Sequence, residues 1–198
     1  MGPSRHRRPP RARRAPPPAL ALGLLAAACL GGCGASAHAH GDSRARQRAE
    51  LVGYLHRIEP LRLGVNRLLE GADPILEGFH ARRLSAKAAS RRMEALERRF
   101  AAYTVEVAAI EPASAQLRAI NAPYAHTYVL EDSYLAALAN GISEDDFDAL
   151  PDTQAEQRAA IVGWRTQLTV LARRLGVSLP GDLQLAGRGE IAPSPGGS

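Results

Sequence analysis

Lysine, cysteine and long hydrophobic runs are all scarce in this sequence, and each shortage excludes something. Lys87 stands alone beside 24 arginines in an alanine-rich chain of 198 residues. A bias that complete follows more simply from a GC-rich genome than from a need for guanidinium chemistry, so arginine content by itself implies no partner. The apolar run Ala19 to Leu30, before Gly31, has 12 members, well short of the ~20 that span a bilayer as a helix. No segment of useful length alternates apolar and polar residues with period two, which excludes a strand-based core. Also missing are a G-x-S-x-G elbow, a G-x-x-x-x-G-K phosphate loop, a C-x-x-C-H haem site and a methionine-rich tract. Their absence leaves no motif for hydrolysis, group transfer or a cofactor. No cofactor and no catalytic residue is therefore expected, and an enzyme is not the reading these residues favour.

The formal charge of +5 and a pI near 9.8 would ordinarily suggest a nucleic-acid partner. Six arginines in the first 32 residues (Arg5, Arg7, Arg8, Arg11, Arg13, Arg14) with no acid among them account for it; the rest of the chain holds 19 basic and 20 acidic groups. Positive charge belongs to the leader, so no nucleic acid is expected as a partner.

That leader reads as a secretory signal: an Arg- and Pro-rich start, then the apolar run, which has the length of an h-region. The run ends in Leu30-Gly31-Gly32-Cys33, which resembles the lipobox of bacterial lipoproteins. The resemblance implies that residues 1–32 are removed, that Cys33 carries the lipid, and that the chain is anchored to the outer face of a bacterial cytoplasmic membrane, or to the outer membrane of a Gram-negative source. Cys29 then leaves with the leader, so the even cysteine count does not indicate a disulfide. Two alternatives stay open. Cleavage at Ala35-Ser36-Ala37 would release a chain beginning His38-Ala39-His40, whose amine and third-position imidazole suit a square-planar Cu(II) or Ni(II) site; an uncleaved anchor is the other. Arg7-Arg8 and Arg13-Arg14 run into prolines, unlike a twin-arginine signal, which favours the general secretory route.

Residues 33–42 read as a flexible tether and 177–198 as a disordered tail, small, polar and rich in Gly and Pro. Residues 43–176 between them suffice for one domain. The first segment places Leu51, Tyr54, Ile58, Leu61, Val65, Leu68, Ala72, Ile75 and Phe79 at alternating spacings of three and four, a helical stripe. Pro60 and Gly71-Ala72-Asp73-Pro74 should each kink or break it, with Asp73 capping a new helix. A second stripe runs from Ala86 through Met93, Leu96, Phe100 and Val107 to Ile110, stopped by Glu111-Pro112. A third helix is expected from about Asn121-Ala122-Pro123 to Asn140-Gly141, burying Tyr124, Thr127, Tyr128, Tyr134, Leu135, Leu138 and Ile142, followed by a short helical turn at Ser143–Asp146. The fourth starts at the capping box Thr153-Gln154-Ala155-Glu156, buries Ile161, Trp164, Leu168, Leu171 and Leu175, and ends at Gly176-Val177 in a Schellman turn. The fold expected is all-α: an antiparallel four-helix bundle with a kinked first helix. Both chain ends fall at one pole, close to the membrane, and the loops after the first and third helices are expected there, with the link between the second and third at the far pole.

Glu131 is the leading site candidate, because it lies at the centre of the third helix's apolar stripe among Tyr124, Tyr128 and Tyr134. A carboxylate there must be paired, hydrogen-bonded or protonated. It would serve either as a ligand-contacting group in a Tyr-lined cavity or as a structural contact to a tyrosine or an arginine such as Arg62. His56, His80 and His126 make no metal set; Glu77-Gly78-Phe79-His80 has the Glu-x-x-His spacing of di-iron bundles, but those need it twice. His38 and His40 are weak metal candidates in the tether. From Arg82 to Arg99 there are seven basic residues against Glu94 and Glu97, whereas Glu131 to Glu156 holds eight acids and no base. The basic stripe is either a solvated face with Glu94 and Arg98 paired, or a surface for anionic lipid or an anionic wall polymer near the anchor.

Leu117-Arg118-Ala119-Ile120-Asn121-Ala122-Pro123, His126 and the tyrosine-rich helix after them are similar to segments of small uncharacterised helical lipoproteins of high-GC, actinobacterial-type bacteria. The resemblance implies an envelope location and a helical fold, with a membrane partner through Cys33. An extracytoplasmic interaction or structural module, partnered by an envelope protein or an anionic polymer, is the function expected. A small-ligand or metal carrier using the bundle interior or the His38/His40 tether is the alternative.

Overall fold

The computed structural model describes residues 35–184 together with Ile191, Pro193 and Pro195. Among these residues there are helices and no strand. α1 spans Ala35–Leu69, α2 Ala72–His80, α3 Ala86–Ala108, α4 Ala115–Glu144 and α5 Gln154–Leu175, followed by one 3₁₀ turn at Gly181–Gln184. Each of the four apolar stripes falls on a buried face: Leu51, Tyr54, Ile58, Val65 and Leu68 on α1, Met93, Leu96 and Phe100 on α3, Leu135, Leu138 and Ile142 on α4, Trp164, Leu168 and Leu171 on α5.

Cross-helix contacts fix the packing. Thr104 of α3 reaches the Tyr128 carbonyl of α4, and Asn121 of α4 reaches the Ile110 carbonyl just beyond α3, so the two helices run antiparallel. α4 and α5 are antiparallel as well, with Tyr124 against Trp164 and Gln116 against Arg174. α1 meets α5 through Tyr54 and Trp164 and through Arg44 and the Arg174 carbonyl. The result is an up-and-down bundle of four long helices, with the short α2 capping one end.

Several boundaries differ from the periodicity reading. α1 begins at Ala35, so the backbone of 35–42, expected as a flexible tether, is helical. α1 also runs through Pro60 and α4 through Pro123. Both prolines and the residues four before them, His56 and Ala119, are exposed, so water can satisfy the carbonyl that each missing N–H leaves over. α4 therefore starts eight residues before Pro123, where the Ser114 hydroxyl accepts the Leu117 N–H at 3.3 Å; Ser85 caps α3 in the same way. The break after Leu69 does occur, but Gly71 occupies the cap position and Asp73 lies inside α2. Thr153 makes no side-chain cap to α5, so the predicted capping box is not formed.

α4 passes Gly141 and ends at Glu144, with Asp145 in the left-handed region at φ 55°. Gly141 serves another purpose: a Cβ there would lie 2.6 Å from the Asp146 carbonyl oxygen, and its own carbonyl accepts the Asp146 N–H at 3.0 Å. Only hydrogen lets the chain fold back so closely. At the end of α5 the expected Schellman turn is present: Gly176 has φ 67°, Gly176 N–H donates to Arg173 and Val177 N–H to Ala172.

Two corrections concern the poles. The Ser114 amide donates to Glu50, and Arg174 donates to Gln116 at 2.7 Å. The link between α3 and α4 therefore sits at the pole where α1 enters and α5 ends. The α4–α5 link lies at the other, with Phe147 edge-on to Phe79 at 6.2 Å. Alternating helices return the chain to its starting pole after every even helix, so the expected placement of the links was reversed. Nor are the described residues after Gly176 a structureless tail. Val177 and Leu179 pack on the core, Leu183 is buried, and Asp182 binds Arg62 of α1. Farther on, Ile191 packs on the core and the Pro193 carbonyl accepts the Tyr134 hydroxyl at 3.1 Å. Too few apolar residues recur in this segment to form a periodic signal.

Candidate functional site

Glu131 lies on the inner face of α4 and is 2% exposed. Gln157 of α5, itself fully buried, donates from Nε2 to Glu131 Oε2 at 2.9 Å. One turn earlier, the Tyr124 and Tyr128 hydroxyls are 3.1 Å apart. Tyr124 stacks on Trp164 with ring centroids 4.0 Å apart, and Tyr128 stacks on Phe100 at 5.8 Å. The Trp164 indole N–H donates to the Tyr54 hydroxyl at 2.8 Å, that hydroxyl donates to Asn121 Oδ1 at 2.8 Å, and the Asn121 amide donates to the Ile110 carbonyl. Burial pushes the Tyr54 hydroxyl far above the usual phenol range, against the opposing influence of the Trp164 N–H and of Arg57. Tyr54 therefore stays neutral and can both donate and accept.

The structure thus brings Glu131, Tyr124 and Tyr128 together and sets Tyr134 apart, its hydroxyl committed to Pro193. The space among Glu131, Thr127, Tyr124, Tyr128, Phe100 and Val65 measures about 10 Å³, room for one water at most. The space beside Glu131, Tyr124 and Tyr128 is therefore too small for a ligand. Glu131 with Gln157, Tyr124 with Tyr128, and Tyr54 with Trp164 and Asn121 are bonded to one another, as buried polar groups generally are.

Arg62 is 1% exposed and bonds Glu59 and Asp182. Burial alone would weaken its hold on a proton, but those two carboxylates outweigh it and keep the guanidinium above its ordinary range. Burial would raise Asp182, yet Arg62 and nearby backbone N–H groups hold it below the usual carboxylate range. Sequence reading passed over this pair because Asp182 lies 120 residues from Arg62.

The histidines stay apart. His56 and His126 are exposed on α1 and α4, and exposed His80 lies against the Phe79 and Phe147 rings. Glu77 pairs with Arg83 at the surface. No group of three or more His, Cys, Asp or Glu side chains among the described residues could hold a metal. His38 and His40 fall within the α1 backbone, while their side chains, like Cys33 and the leader, lie outside the described residues. On α3, Lys87, Arg91, Arg92, Arg98 and Arg99 are all exposed. Only Arg98 has an ion-pair partner among the described residues, Glu94 at 3.8 Å, the i, i+4 pair expected there.

Ligand-sized space is found at the surface of the bundle. A groove of about 450 Å³ runs between α1 and the chain after α5, walled by Val52, Leu55, His56, Pro60, Val177 and Pro180; a second of about 260 Å³ separates α4 from α5. No helix among the described residues is long and apolar enough to cross a membrane.

Comparison with known families, curated proteins and solved structures finds no match.

Proposed function

We propose that this chain is exported, lipidated on Cys33 and held at the outer face of a bacterial membrane, where its bundle acts as an interaction or structural module of the envelope. The observation that carries this reading is the apolar run ending in Leu30-Gly31-Gly32-Cys33, two residues before α1 begins. A cleaved lipoprotein would pass directly from its lipid to a helix, with little slack between anchor and fold. The lack of room beside Glu131 and its tyrosines favours an interaction module over a carrier using that site, since carriers need a cavity of some hundreds of Å³. Partners are then met at the surface: the membrane through Cys33, and an envelope protein or anionic polymer beyond it. A carrier role is favoured only by the external groove beside α1, whose 450 Å³ is of ligand size.

Intact mass of the protein taken from its membrane fraction tests the proposal. A mature chain starting at Cys33 with two or three acyl groups is expected, and Cys33→Ser should move the protein out of the membrane fraction. An unmodified chain starting at His38 overturns it.

A further inference from the structure

Three separate elements bring arginines to the pole where α1 enters the bundle. Arg44, Arg46 and Arg48 lie on α1, Arg118 on the first turn of α4, and Arg173 and Arg174 on the last turn of α5, all exposed. They are positioned rather than scattered. Arg44 donates to the Arg174 carbonyl at 2.8 Å, Arg174 to Gln116 at 2.7 Å, and Arg118 to the Pro112 carbonyl at 3.0 Å. These partners are neutral, so none of them cancels a charge, and six arginines outnumber the acids at this level. The acids at this level are Asp42, Glu50, Glu106 and Glu111, and the Glu50 carboxylate already accepts the Ser114 N–H. The opposite pole differs in sign: the α4–α5 link concentrates Glu144, Asp145, Asp146, Asp148 and Asp152.

We propose that this arginine-rimmed pole is a docking surface for an anionic phospholipid bilayer. The inference rests on the lipid-anchor reading, which puts the bilayer just beyond the start of α1. From Ala35 to Arg44 the helix rises about 13 Å. The headgroup layer takes up about 6 Å of that distance. Arg44, and Arg174 bonded to it, therefore lie within about one Debye length of the lipid phosphates, and Arg46 and Arg48, within about a turn farther along α1, narrow their larger gap through their long side chains. Six charges spread round a blunt end of three helices match a flat anionic surface, whereas a linear polymer would follow a stripe such as the one on α3. One lipid chain alone gives weak attachment, and a basic patch is the second signal that makes it stable. The same contact stands the bundle upright, with the acidic pole and the basic flank of α3 directed away from the membrane.

The test uses the full-length chain with Cys33→Ser and the six leader arginines changed to glutamine, so that neither lipid nor leader charge contributes. Sedimentation with vesicles containing 30% phosphatidylglycerol is expected, and none with pure phosphatidylcholine. Arg46→Glu, Arg48→Glu and Arg173→Glu together should weaken binding about a hundredfold, at about fivefold per arginine near the surface, with the helical circular dichroism unchanged. Arg91→Glu, Arg92→Glu and Arg98→Glu on α3 should leave it within about twofold. No binding to anionic vesicles, equal binding to neutral ones, or a loss caused by the α3 set instead overturns the proposal. Each of these failures leaves the mass of the mature chain untouched, so the anchor reading is judged separately.

Discussion

α3 and α4 lie side by side as neighbours in one bundle, yet they divide polarity in opposite ways. α3 buries Ala89, Met93, Leu96, Phe100 and Val107 and turns its charged side chains to water. α4 buries Leu117, Ile120, Leu135, Leu138 and Ile142 but sets Asn121, Thr127, Glu131 and three tyrosines among them, while leaving Ala115, Ala119, Ala122 and Val129 exposed. One helix is held mainly by area removed from water; the other adds to such area directional bonds to Tyr54, Gln157 and the Ile110 carbonyl. A polar buried face demands particular partners, so α4 selects one arrangement of α1 and α5, whereas an aliphatic face tolerates several.

The sharpest way to break this comparison is at Trp164, which both stacks on Tyr124 and feeds the Tyr54–Asn121 chain. Trp164→Ala should cost about 3–5 kcal/mol and Met93→Ala on the α3 side about 2–3 kcal/mol, measured by urea unfolding followed by circular dichroism. Equal costs would mean that the network adds nothing beyond buried area. Asn121→Leu comes next. It keeps volume and apolar area but strands the Tyr54 hydroxyl and the Ile110 carbonyl, so a loss of about 2–3 kcal/mol is expected; a neutral result would show that shape alone positions α4.

The smallest effect is expected at the seam between the two helices. Burial pushes the Asp132 carboxyl above its usual range, and its Oδ1 is buried without a hydrogen-bond partner. Glu97 across the seam is raised by its own burial and then by the Asp132 charge. A carboxyl whose folded pKa is raised binds its proton better in the folded chain. These two therefore favour the fold in acid and cost stability as pH rises through the ordinary carboxylate range. Asp132→Asn should raise the melting temperature by about 1–3 °C at pH 7 and give no gain at pH 3. A gain of the same size at both values would remove electrostatics as its cause.

The fold was legible because stripes of three-and-four spacing survive on all four long helices, and each marked residue of the α5 stripe, from Ile161 to Leu175, is buried. Helix ends were harder to read. Prolines 60 and 123 suggested breaks, yet both fall on wet faces where a missing N–H is cheap, and exposure is not visible in the chain. Ser114 could have announced the true start of α4, since a serine three residues before an apolar stripe is a cap signal. Of the candidate site, Glu131 with Tyr124 and Tyr128 was readable because each shares a face with the others. Gln157, Arg62 and Asp182 were not, because their partners are set by packing between elements far apart in sequence. The arginine-rimmed pole was hidden for the same reason: its members are spread over three helices and look unremarkable in each.

Arg62 finds Glu59 one turn away on the same helix, but its other carboxylate partner, Asp182, comes 120 residues later. A ribosome, and any channel the chain threads N-terminus first, delivers Arg62 long before that partner. Until Asp182 is free, the first helix holds that cation with Glu59 in place but without its second carboxylate. Completion of this contact is thereby tied to the residues after α5, and a chain truncated shortly after α5 would hold all four long helices while lacking one of the two carboxylates that bond Arg62.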